Sequence, residues 1–233
     1  MIRNTITFLI VFILSSCAEL QQVVNQLPQG AVSQTEIASG LRQALDFGID
    51  KQVTKLTQPD GFYKNELVKI VLPEELQKVD QTLRDIGLSK LADEGLKLLN
   101  RAAEDAVKEA TPIFVDAVKG ITFADAKSIL LGADDAATQY LSSKTASALY
   151  AKFHPVIKDS FAKVGADTIW TNLISKYNAI PLTANVNPDL TDYVTNEALE
   201  GVYTMIAIEE KDIRTKLTSR TTDLLKKVFA LQD

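Results

Sequence analysis

The sequence holds one cysteine, Cys17, and one histidine, His154, in 233 residues. No disulfide can form within one chain, and no zinc site of the usual Cys/His kind can be assembled from it. An H-E-x-x-H metalloprotease helix needs two histidines and is excluded. A Ser-His-Asp triad could use only His154, which stands directly before Pro155 in Phe153-His154-Pro155. A residue before proline is pushed away from helical backbone, so this context reads as a helix boundary flanked by two helices.

Glycine is scarce as well. The ten glycines are never closer than eight positions apart. That spacing excludes G-x-G-x-x-G, the phosphate-binding P-loop and the G-x-S-x-G elbow, motifs in which backbone must approach a phosphate or turn sharply at a nucleophile. No EF-hand ladder of oxygen ligands precedes any glycine. Few glycines and only seven prolines favour long helices over a turn-rich β architecture. No metal and no cofactor is implied. Hydrophobic residues at 46% and charged residues at 24% are an ordinary globular balance.

What is present begins with an address. Arg3 precedes a mostly apolar run from Ile6 to Leu14, which exits through Ser15-Ser16-Cys17. The run is about nine residues, whereas a spanning helix needs roughly 20. A basic start, a short apolar core and a small-residue exit describe a secretory signal peptide. Leu14-Ser15-Ser16-Cys17 resembles the lipobox of bacterial lipoproteins. That resemblance implies a signal peptide over 1–16, cleavage before Cys17 and a diacylglyceryl thioether on its sulfur. Residues 17–32 then form a lipidated N-terminus and tether, in which Glu19 is the only charge and glutamine recurs. Ala18 is not the aspartate that often retains lipoproteins at the inner membrane, so an outer-membrane, periplasm-facing location is expected. Without residues 1–16 the chain carries 24 basic and 30 acidic side chains, a net charge of −6. Such a body is repelled by nucleic acid and by anionic lipid, so attachment is expected through Cys17.

Residues 33–233 read as one all-α domain of about nine or ten helices. Ser33-Gln34-Thr35-Glu36 has capping-box spacing. Ile37, Leu41, Leu45, Ile49, Val53 and Leu56 follow in one helical stripe, which ends at Pro59-Asp60-Gly61. The segment 67–72, Leu-Val-Lys-Ile-Val-Leu, is short and β-branched and fits an extended segment before Pro73 opens the next helix. Gly87-Leu88-Ser89 and Gly120-Ile121-Thr122 both read as a terminating glycine, an apolar residue and a hydroxyl N-cap. Between them Leu91, Leu96, Leu98, Leu99, Ala102, Ala103, Ala106 and Val107 mark a long buried face, interrupted near Thr111-Pro112. Asp134 and Asp135 favour a helix start, since carboxylates suit the positive end of the helix dipole. Further helices are expected from about Ala166 to Tyr177, to about Arg214, and up to Phe229.

Several stretches carry a family resemblance. They include Gly40 to Leu45, Leu72-Pro73-Glu74-Glu75-Leu76, Asn100-Arg101-Ala102-Ala103-Glu104, Ala136 to Leu141, Tyr177 to Pro181, and Thr221 to Phe229. From about Ser33 to Phe229 the chain resembles the domain-of-unknown-function 4197 family of bacterial envelope proteins. The resemblance implies a helical lipoprotein or secreted domain and no activity. The family pattern has a proline two residues after Arg214, where this chain has Lys216.

The candidate ligand or packing site comprises Asn100, Arg101, Glu104, Asp125, Thr138 and Tyr140. On a helix Asn100 and Glu104 share one face at i,i+4, beside the small pair Ala102-Ala103 that admits a neighbouring helix. The favoured expectation is a buried polar network that holds packing. Thr138 and Tyr140 read as a capped helix start with Tyr140 half buried. Glu209, Glu210 and Arg214 read as solvated and worth a few tenths of a kcal/mol. Function is expected to be non-enzymatic, with the helical body binding or scaffolding an envelope protein. The alternative is a binder of a small apolar or lipidic ligand between helices. Least favoured is a carboxylate-dependent enzyme built on Glu104, Asp125, Asp134 and Asp135.

Overall fold

The computed structural model describes residues 32–164, 166–179 and 189–233. The signal-peptide reading, Cys17 and the tether lie outside the described residues, as does the loop from Pro181 to Pro188. The described residues form nine α-helices and no strand. They are α1 (Gln34–Leu56), α2 (Glu74–Asp85), α3 (Ser89–Val107), α4 (Ala110–Lys119), α5 (Phe123–Leu130), α6 (Ala136–Val164), α7 (Ala166–Asn178), α8 (Thr191–Thr215) and α9 (Asp223–Phe229). Thr35–Asp233 is one compact unit.

The six apolar residues of the α1 stripe are all buried, as their i+3 and i+4 spacing requires. The centre of the unit is a triple packing of α3, α6 and α8. On α6 the inward stripe is Ala137, Leu141, Thr145, Leu149, Phe153, Ile157 and Phe161, every fourth residue and all buried. Each large apolar side chain so covered contributes roughly 1.5–3 kcal/mol. On α3 the facing residues are small: Ala102, Ala103 and Ala106 are buried against their neighbours, which lets helix axes come close. Leu99 and Val107 complete that face, whereas Leu96 and Leu98 are only half buried. The single tryptophan, Trp170, fastens α7 to α3 by donating its Nε1–H to the Gly95 carbonyl at 3.3 Å.

Pro155 is where expectation and structure part. Helix α6 runs unbroken from Ala136 to Val164, with Pro155 inside it. His154 is therefore a mid-helix residue, tilted against the Tyr150 ring at 5.6 Å, and it marks no boundary. A proline inside a helix costs about 3 kcal/mol. Phe153, Ile157 and Phe161 bury apolar surface on both sides of the break point, and that burial exceeds the local cost.

The two Gly-apolar-hydroxyl stretches divide the expected roles between them. Gly87 takes the left-handed backbone, φ 86°, that ends a helix, but Ser89 lies inside α3, whose N-cap is Leu88. Gly120 stays right-handed, while Thr122 caps α5 in a full capping box with Asp125. Thr111 and Pro112 fall in the first turn of α4, where a missing N–H is harmless, and the chain breaks just before them at Lys108-Glu109. Segment 67–72 forms no strand, yet its burial alternates: Val68, Ile70 and Leu72 are inside, Leu67 and Val71 outside, Lys69 half buried. Phe62 and Val68 seat this loop on α8 at Gly201, where a Cβ would come within 2.8 Å of the Phe62 ring. No other residue allows that approach.

Pro155 is exposed, so Pro155→Ala removes no buried contact and returns an N–H to the helix. The expected result is an increase in unfolding free energy of about 1–3 kcal/mol in urea titrations. An unchanged or lowered midpoint would contradict a continuous α6.

Candidate functional site

Asn100 and Glu104 do share one face of α3, and both are buried. They meet the irregular loop between α1 and α2. The Asn100 Oδ1 accepts the Ile70 N–H at 2.9 Å, and its Nδ2 donates to the carbonyls of Ile70 and Leu96, each at 2.9 Å. One carboxamide thus pairs with both backbone groups of Ile70, as a neighbouring strand would. Glu104 Oε1 accepts the Phe62 N–H at 3.2 Å, and its Oε2 accepts from Arg101 Nη1 at 2.8 Å. Arg101 continues to Asp60 through Nη2 at 2.7 Å. Asp60 holds the left-handed backbone at φ 68°, a conformation that aspartate tolerates better than most residues. Its second oxygen meets Lys64 at 2.8 Å. The hydrogen bond from Lys64, with the charges of Arg101, Lys64 and Lys97, holds the Asp60 carboxyl below its ordinary value of 3.8.

Thr138 belongs to a second cluster. Glu210 on α8 accepts the backbone N–H groups of Ala137 and Thr138 at 2.8 Å each, and the Thr138 hydroxyl at 2.8 Å. Arg214, one turn later, donates to Glu210 Oε1 through Nε at 3.0 Å and Nη2 at 2.7 Å. It also donates to the Leu130 carbonyl at 3.1 Å and the Ile129 carbonyl at 2.9 Å. The acid therefore caps the start of α6 and the base caps the end of α5, each at the dipole end that suits its charge. Arg220 repeats the device at the end of α8, donating to the Ile213 carbonyl at 3.0 Å and the Arg214 carbonyl at 2.7 Å. Asp233 completes the Arg220 guanidinium at 2.8 Å on both nitrogens. The break after α8 falls at Lys216, whose backbone is extended, so the turn forms without a proline.

These contacts correct the reading of Glu209, Glu210 and Arg214 as solvated. All three are buried. Glu209 accepts from Lys51 at 2.7 Å and from Gln52 at 2.8 Å. The signal was helical phase: Val194, Ala198, Val202, Ile206, Glu210 and Arg214 form one i+4 stripe, and its last two members are buried with its first four. Helix α6 does start directly after Asp134-Asp135, and the acid that accepts its first free N–H groups is Glu210.

Asp125 and Tyr140 stand apart from both clusters. Asp125 accepts the Thr122 hydroxyl at 2.7 Å and the Thr122 N–H at 2.9 Å, bonds that draw its carboxyl below the usual value. Tyr140 is half buried, and burial followed by the Asp125 charge raises its phenol. The Lys144 ammonium sits 5.6 Å from its ring centre. Glu104, Asp125, Asp134 and Asp135 do not form one carboxylate cluster. The polar atoms of Asn100, Glu104, Thr138, Glu210 and Arg214 are engaged in holding backbone, and Gln52 retains a buried oxygen without a partner.

A cavity between α1, α6, α8 and α9, bounded by Leu45, Ala137, Glu210 and Phe229, measures about 20 Å³, room for a single water. Neither it nor the open groove along α1 at Arg42 and Asp46 includes Asn100, Arg101 or Tyr140 in its lining. Among the described residues no three or more metal-ligating side chains converge, and no helix is long and apolar enough to cross a membrane.

The model of a family described as a protein of unknown function, DUF4197, matches residues 31–230, and the chain belongs to that family. It matches no curated protein and no solved structure.

Removing one member of a buried ion pair strands the other, at about 3–5 kcal/mol. Glu210→Gln and Arg214→Met are each expected to lower unfolding free energy by that amount in urea titrations, against about 1–3 kcal/mol for Asn100→Leu. A loss below 1 kcal/mol at both Glu210 and Arg214 would remove the double cap. Asp60 has a folded pKa below its unfolded one, so its contribution is present above pH 4 and is lost as pH falls through the folded value. Asp60→Asn is expected to flatten the acid limb of the stability profile without moving the neutral limb.

Proposed function

We propose that this member of the DUF4197 family is an envelope lipoprotein, anchored through Cys17 at the outer membrane and facing the periplasm. Its helical body binds or scaffolds a second envelope protein and performs no chemistry. The observation that carries the anchor is the apolar run Ile6 to Leu14 leading through Ser15-Ser16 to the chain's single cysteine. Two or more acyl chains on that residue would hold the protein stably, where one would be marginal.

The use of the buried polar residues supports the non-enzymatic reading. Asn100 holds Ile70, Glu104 holds Phe62, and Glu210 with Arg214 closes two helix ends. Side chains engaged in this way stabilise backbone and are not free to bind or turn over a substrate. A ligand-binding cavity for a drug-sized apolar molecule would need on the order of 300 Å³ or more; the enclosed cavity beside Glu210 holds about 20 Å³, and the open groove along α1, about 560 Å³, is lined mainly by polar and charged side chains, among them Arg42, Asp46, Asp50 and Lys51.

In a bacterial host fed a clickable fatty acid, the wild-type chain is expected to carry label and to fractionate with the outer membrane. Cys17→Ser should lose the label and remain as an uncleaved or soluble form. Label retained on Cys17→Ser would overturn the anchor. Mild in-cell crosslinking should trap one reproducible protein partner, and a chain that stays uncrosslinked and monomeric in its native membrane would remove the scaffolding role.

A further inference from the structure

No further inference is drawn: the strongest candidate, the open groove along α1 in which Phe47 stands among side chains of both charge signs, Arg42 and Lys51 beside Asp46 and Asp50, selects no one class of ligand, and nothing in the structure shows what covers it.

Discussion

The ion pair between Glu210 and Arg214 closes the junction on which the rest of the bundle is arranged. Helix α5 ends and α6 begins within a few residues, so orphan carbonyls and orphan N–H groups face each other in the interior. Water cannot satisfy them there, and an unmet buried backbone group is expensive. One turn of α8 supplies a carboxylate to the N–H groups of Ala137 and Thr138 and a guanidinium to the carbonyls of Ile129 and Leu130. The charges neutralise each other at 2.7 Å. This pair also sets the register of α8 against α6, because sliding either helix by a turn would break both caps. Arg220 then closes α8 itself, which places α9 against α1, where Lys227 meets Glu36 at 2.6 Å.

The same logic explains Asn100. A loop that packs one side against the interior without strand partners must have its buried backbone paired by side chains, and a carboxamide offers an acceptor and a donor in one plane. Asn100 and Glu104, one turn apart on α3, address Ile70 and Phe62, so α3 acts as the missing strand for the loop. The side chains that looked most like a site are thereby assigned to architecture.

Much of the architecture was legible in the sequence. The i+3 and i+4 stripe of α1, the hydroxyl N-cap at Thr122, the interruption near Thr111-Pro112 and the helix ends near Arg214 and Phe229 all follow from local pattern. The alternation at 67–72 was visible as β-branched residues, though the absence of a strand partner was not. Pro155 was misread because the residue itself favours a break, while the burial of Phe153, Ile157 and Phe161 that overrides it comes from other helices. Glu210 and Arg214 were misread for a related reason: helical spacing allowed an exposed pair, and only their phase with Val202 and Ile206 placed them inward.

By itself the sequence determined what depends on neighbours along the chain. Helix count, glycine-poor chemistry and the motifs that cannot be written all rest on spacing or composition, and the family rests on the resemblance of particular stretches. Tertiary structure alone decided which distant backbone groups the buried polar residues bind. Glu210 reaches Thr138 across 72 residues and Arg214 reaches Leu130 across 84. No local rule carries information over that separation, because the free energy of such a contact exists only once both helices are formed and packed.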